Sequence, residues 1–319
     1  MRAVEIREPG LPPEPADCEP PRPARGQVLV AVAAAPITPL DLLCATGLSY
    51  FGRPQTPYIP GVQGVGVVGS RPVWFPTSAG MAPGDGSMAQ FAAVAEQDLV
   101  ALPDGADPVA VAALGLSAVA AHQALGRRGG LAAGEQVIVL GAGGTVGQAA
   151  VQLAKLAGAR RVVAAARSAA AQERAEAAGA DAVVALGTDD IADLAVRFVE
   201  ACDGPADLVL DTLYGVPAAA AARALGRGGR LVNLGAAAAE TSPLDSSTLR
   251  GKSLRVLGYT NNELTREQRA AAITEVARLS ARGRLSVAHQ TAPLEAAAGL
   301  WRLQADGKAD GRIVLVPGS

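Results

Sequence analysis

The sequence predicts an α/β protein in which a doubly wound parallel sheet accompanies a second, β-rich domain. Three observations lead there. At 319 residues the chain is long for one domain of about 150 residues and suits two. Twelve of its 22 prolines lie in the first 60 residues, whereas Pro205 is the only one between Gly115 and Gly215. Beyond residue 110, short apolar runs alternate with helix-length segments, the pattern of parallel strands joined by crossover helices.

Proline removes a backbone donor and fixes φ, so its density marks turn-rich structure with edge strands. Weak alternation over 28–34 and apolar runs at 65–68 and 91–94, separated by Pro-Gly and Asp-Gly signals, predict an antiparallel, partly barrel-like β domain. Six runs, 137–140, 161–165, 182–185, 207–211, 230–234 and 254–258, predict the parallel strands, with helices over 147–157, 169–178 and 191–201. The tail reads as helix 266–281, a strand near 285–289, helix 294–305 and strand 312–316, returning to the first domain. The expected division is 1–112 plus 263–319 for the β-rich domain, with 113–262 inserted as the parallel-sheet domain. The alanine runs have no period of 20–50 residues and read as helix filler.

Composition narrows the classes of function. With 50% hydrophobic and 18% charged residues the chain is not disordered. Its 28 basic and 30 acidic residues nearly cancel, so neither nucleic acid nor an anionic membrane is expected as a partner. Cys18, Cys44, Cys202, His122 and His289 stand at no zinc-ligand spacing, and the odd cysteine count argues against a disulfide framework; no metal is expected. The amino terminus lacks an apolar signal region, and no stretch of 18 apolar residues is free of charges and breakers. A reduced, cytoplasmic protein is the expectation.

The chemistry centres on a glycine turn. The apolar run 137–140 leads into Gly141-Ala142-Gly143-Gly144-Thr145-Val146-Gly147 and then a helix. Glycines allow a tight turn and close backbone approach, and the free N–H groups of the first helical turn, around Thr145 and Val146, can hold a pyrophosphate. Gly141, Gly144 and Gly147 give the spacing G-x-x-G-x-x-G. At the end of the second strand an NAD enzyme usually offers a carboxylate to the ribose. Here Arg167 and Ser168 stand there, and no acid appears before Glu173. Arg167 can pair with a 2′-phosphate and Ser168 can donate to it, which favours NADPH; the competing reading of Arg167 is a solvated surface residue. At the carboxyl ends of later strands, Asp211, Leu234 and Gly235 are expected beside the nicotinamide, mainly through backbone atoms. Asn261 either approaches the cofactor or sits in a plain turn.

These segments resemble the zinc-free quinone oxidoreductase and enoyl reductase branch of the medium-chain dehydrogenase/reductases. The resemblance is carried by Thr38-Pro39-Leu40-Asp41 with Gly47, Pro60-Gly61-Val62-Gln63-Gly64-Val65-Gly66, Leu114-Gly115-Leu116-Ser117-Ala118, the loop Gly141 to Gly147 with Val151-Gln152-Leu153-Ala154-Lys155, and Gly179-Ala180-Asp181. Asp207-Leu208-Val209-Leu210-Asp211, Gly229-Arg230-Leu231-Val232 and Gly311-Arg312-Ile313-Val314-Leu315 complete it over essentially the whole chain. It implies a GroES-like catalytic domain, an inserted Rossmann domain and a homodimer paired through the last Rossmann strand, here 254–259. Where zinc-dependent relatives carry ligands, this chain has Thr38, Val62 and Gln63.

Without a metal there is no strong Lewis acid to polarise a carbonyl, and hydride addition to a quinone or to an activated C=C bond avoids that need. Thr38, Asp41 and Gln63 are expected around the substrate, with Asp41 alternatively structural. Tyr50 resembles the tyrosine that donates a proton in some enoyl reductases, one residue displaced; its other reading is a pocket-lining or partly exposed aromatic. Two further readings of the chain stay open, an alcohol dehydrogenase-like enzyme and an NADPH-binding protein with little turnover. Cys44 reads as a packed or pocket-lining thiol.

Overall fold

The computed structural model describes residues 1–318. Strands Arg2–Glu5 (β1) and Glu14–Asp17 (β2) pair antiparallel. The longest strand, Gln27–Pro36 (β3), is followed by helix Pro39–Thr46 (α1). That helix, absent from the sequence expectations, is dictated locally. Thr38 caps its N-terminus in a reciprocal capping box with Asp41, Pro39 occupies the first turn, and Gly47 ends it at φ 72°. Strands Gln63–Val68 (β4), Arg71–Pro76 (β5), Phe91–Ala95 (β6) and Val100–Ala101 (β7) then build an antiparallel meander on β3. The segment Pro108–Gln123 (α2) is helical but broken at Gly115, whose φ 33° and ψ −135° lie outside the helical region.

Alternation then sets in. Strand Gln136–Leu140 (β8) leads through the glycine turn to helix Thr145–Leu156 (α3). Strand Arg161–Ala166 (β9), helix Ala169–Ala177 (α4), strand Ala182–Ala185 (β10) and helix Ile191–Ala201 (α5) follow. Next come strand Ala206–Asp211 (β11), helix Gly215–Ala224 (α6), strand Leu225–Asn233 (β12), helix Ser246–Lys252 (α7) and strand Arg255–Gly258 (β13). All six strands are parallel, in the order β10-β9-β8-β11-β12-β13, the 3-2-1-4-5-6 arrangement of a doubly wound dinucleotide fold. Its central strand β8 is buried throughout, as a sheet covered on both faces requires.

The tail contributes helix Arg266–Ala281 (α8), strand His289–Ala292 (β14), helix Ala297–Ala305 (α9) and strand Arg312–Leu315 (β15). β15 pairs parallel with β14 and antiparallel with the end of β3, so the second sheet runs β14-β15-β3-β4-β5-β7, with β6 also on β3. The chain thus forms two units, residues 1–115 with the segment from 266 onward, and residues 116–265. The first has a core of Val4, Ile6, Val30, Phe75, Met88, Trp301 and Ile313; the second packs Ile138, Leu140, Val163, Leu194, Phe198 and Val209. The expected fold class, a parallel sheet with a separate β-rich sheet, is present. Among the described residues one helical stretch, Pro108–Arg128, is long and apolar enough to cross a membrane, and more than half of it is buried inside the protein.

Candidate functional site: a glycine cradle and a buried carboxylate

The parallel-sheet unit contains a cradle where β8 ends. Gly141 takes φ 73°, and a side chain on Gly147 would collide with the Gly141 carbonyl, so strand and helix approach more closely than any other residue allows. The turn closes through Gly144 N–H donating to Gly141 O at 3.0 Å. Gly144, exposed, is the N-cap of α3 and offers no side chain. The N–H groups of Thr145, Val146 and Gly147 consequently donate to no group among the described residues. These orphan donors, at the positive end of the α3 dipole, fit an anion.

The walls of the cradle are held by one carboxylate. Asp211, fully buried at the end of β11, accepts from Leu213 N (2.8 Å), Tyr214 N (2.8 Å) and Asn233 Nδ2 (3.0 Å). Burial pushes its carboxyl up, and those donors oppose the shift. Leu234 N donates to Asp211 O and Gly235 O accepts from Asn233 Nδ2, so Asp211, Leu234 and Gly235 form one braced corner. Tyr214 there adopts φ 59° and ψ −156°, a region almost confined to glycine. Arg167 and Ser168 are exposed directly after β9. Ser168 Oγ caps α4 by accepting from Ala171 N, and no ion pair engages Arg167 among the described residues. Asn261 uses both ends of its amide internally, donating to Leu116 O and accepting from Tyr259 Oη, each at 2.9 Å; it lies in a short turn capped by Thr260.

In the β-rich unit, Thr38, Asp41 and Gln63 are all buried. Asp41 accepts from Thr38 N (2.8 Å), Thr38 Oγ1 (2.6 Å), Gly61 N (3.1 Å) and Val62 N (2.8 Å). Burial pushes its carboxyl up, while these donors and the charge of Arg312 pull the other way. Arg312, also buried, donates to Ile37 O and is lowered by burial to about 10, so it stays cationic at neutral pH. Gln63 Oε1 accepts from Trp74 Nε1 at 3.0 Å. These side chains position the turn at residues 60–63. Tyr50 is 74% exposed and pairs with Phe51, ring centroids 4.3 Å apart.

Sequence reasoning passes over Tyr58. Its hydroxyl is buried with no hydrogen-bond partner among the described residues, and burial, with Asp41 and Cys44 nearby, holds the phenol in its protonated form. Tyr58 borders a cleft of about 220 Å³ lined by Gln55, Pro57, Gly80, Gly84 and Asp85. Cys44 is a packed thiol, pushed up to about 11 by burial and by Asp41. No three His, Cys, Asp or Glu side chains gather to hold a metal ion among the described residues. At the three zinc-ligand positions of the resemblance, Thr38 is tied to Asp41, Val62 is apolar and Gln63 holds Trp74, which does not fit zinc.

Comparison with known proteins shows what the chain is similar to. A family model described as zinc-binding dehydrogenase matches residues 145–278. The chain is 33% identical over 310 residues, 92% of its length, to the spectinabilin polyketide synthase system protein NorB of Streptomyces orinoci, of which it spans 13%. It spans about half the length of the curated quinone oxidoreductases it matches, at 34% identity for those of Lama guanicoe and Homo sapiens. The solved quinone oxidoreductase of Thermus thermophilus shares its fold with a TM-score of 0.81 at 31% identity, covering 99% of this chain and 100% of that one. A solved NAD-dependent alcohol dehydrogenase aligns with a TM-score of 0.86 at 27% identity over 100% of each chain. The chain belongs to the quinone oxidoreductase-like proteins of the medium-chain dehydrogenase/reductase superfamily.

Proposed function

We propose that this protein is a zinc-independent, NADPH-dependent reductase of quinones or of the activated C=C bonds of α,β-unsaturated carbonyl compounds. The observation that carries the cofactor half is the cradle: N–H groups at Thr145, Val146 and Gly147 that are unpaired among the described residues, with Arg167 and Ser168 exposed at the end of the neighbouring strand. The cofactor, when bound, supplies the hydride. Thr145 to Gly147 hold its pyrophosphate through backbone donors, Arg167 and Ser168 receive the 2′-phosphate, and the corner braced by Asp211 orients the nicotinamide end. The T. thermophilus relative was solved in complex with NADPH, which supports the same preference here. Zinc independence is supported by the poor fit of Thr38, Val62 and Gln63 to a metal. The protein's share of catalysis is then orientation and exclusion of water, with Tyr50 as the proposed proton donor, a role that rests on the resemblance of its segment to that of enoyl reductases. A homodimer through the exposed edge of β13 and residence in a reducing compartment, supported by three free cysteines, complete the proposal.

The test is cofactor oxidation with NADPH and NADH against a panel of quinones, enones and enoyl thioesters. Turnover with NADPH and at least one acceptor is expected. Arg167→Ala is expected to raise the KM for NADPH while leaving that for NADH unchanged, and Tyr50→Phe to lower kcat by about 100-fold or more, as loss of a general acid does. Alcohol oxidation that depends on a bound zinc would overturn the assignment, as would cofactor binding without turnover on every acceptor. An unaltered NADPH KM in Arg167→Ala would remove that residue from the 2′-phosphate site.

A further inference from the structure

The carbonyl of Gly143, in the middle of the glycine turn, is held from two helices. Gln148 Nε2, on α3, donates to it at 2.9 Å, and Arg174 Nε, on α4, donates at 3.1 Å. The turn also lies directly against α4, because a side chain on Gly143 would overlap Ala171. Residues 171 and 174 share a helix face by their i,i+3 spacing, so the contact that seats the turn on α4 also brings the guanidinium to the carbonyl. Neither side chain belongs to the glycine motif, and nothing in the linear spacing joins Arg174 to residue 143.

We propose that Arg174, assisted by Gln148, is a positioning residue for the pyrophosphate-binding turn, acting on the part of the dinucleotide that NADPH and NADH have in common. The inference rests on the cofactor reading above. Its physical basis is the rigid peptide plane: fixing the Gly143 carbonyl also fixes the N–H of Gly144 on the far side of the same plane. That N–H donates to Gly141 O and closes the turn, leaving the next three N–H groups unpaired among the described residues at the start of α3. A guanidinium suits the task because its donors are fixed in one plane and its charge is permanent. The two arginines near α4 therefore divide the cofactor between them. Arg167 meets what is peculiar to NADPH; Arg174 prepares the site for what both cofactors carry.

The test measures binding of NADPH, NADH, ADP-ribose and adenosine 2′-monophosphate to the full-length protein by calorimetry. For Arg174→Gln the Kd values of NADPH, NADH and ADP-ribose are expected to rise together by about tenfold, or about 1.4 kcal/mol, while that of adenosine 2′-monophosphate is unchanged. Arg174→Lys, which keeps a donor, should recover most of the loss, and Gln148→Leu should give a smaller rise in the same three ligands. A weakening confined to NADPH and adenosine 2′-monophosphate would make Arg174 a 2′-phosphate ligand and overturn the proposal. A lowered Tm with unchanged Kd values would make it a structural tie and overturn it equally. If the wild-type protein bound neither dinucleotide, the cofactor reading itself would fall, an outcome distinct from either of these.

Discussion

Asp41 organises its neighbourhood through four donors converging on one buried carboxylate. Two come from the cap of α1 and two from the turn at Gly61 and Val62, and Arg312 adds a buried cation. An amide in its place would set its own N–H₂ against one of those donors and remove a negative charge from the neighbourhood of the buried Arg312. Leaving a buried donor unsatisfied costs about 1–3 kcal/mol; Asp41→Asn should therefore shift the urea midpoint downward, and a midpoint near the wild type would refute the role. How far this was legible follows from where the partners lie. The pair Thr38 and Asp41 sits within one helical turn, so its spacing could be read locally. Arg312 reaches Ile37 across 275 positions, Arg174 reaches Gly143 across 31, and the buried hydroxyl of Tyr58 is defined by what packs around it. Sequence spacing carries none of those meetings.

Between elements, the clearest tie in the parallel-sheet unit joins β12 to the segment before β8. Arg230 makes a two-pronged pair with Glu135 (Nη1 to Oε1 2.8 Å, Nη2 to Oε2 2.6 Å) and donates to Gly129 O with Nε at 2.8 Å. The guanidinium holds the Glu135 carboxyl below its ordinary 4.5. A carboxylate depressed on folding contributes stability that is present above its unfolded pKa and lost as the pH falls through the lower folded value. Glu135→Gln should thus flatten the acid limb of Tm against pH below about 4.5, and lower stability at neutral pH by about 1 kcal/mol, given the partial exposure of the pair; parallel acid limbs for the two proteins would contradict this. The elements themselves were legible to differing degrees. The boundaries of α5 and α8 could be read to the residue, since a cap or a clear composition change marks each. By contrast α6, in Gly-Val-Pro followed by alanines, shows no apolar periodicity to read, and β14 lies a few residues past the run that suggested it.

For the molecule as a whole, the order of the parallel sheet leaves β13 as an edge strand paired, among the described residues, only to β12, with Val256 43% exposed. An unpaired edge with an apolar side chain invites a second strand. If the homodimer forms there, Val256→Lys should convert it to a monomer in sedimentation velocity with little change in cofactor affinity, and a persistent dimer would move the interface elsewhere. The alternation of strands and helices announced this sheet because each crossover is local; the β-rich sheet could be foreseen only in kind, since its neighbours come from both ends of the chain. That last property bears on how the protein is made. β15 completes the sheet beside Ala35 and Pro36 of β3, so a strand synthesised early waits for one synthesised late. At about 5–20 residues per second, the ribosome has released everything the parallel-sheet unit requires several seconds before β15 emerges. During that interval the nascent chain carries one finished domain and one with an open seam, the stage at which a chaperone would find something to hold.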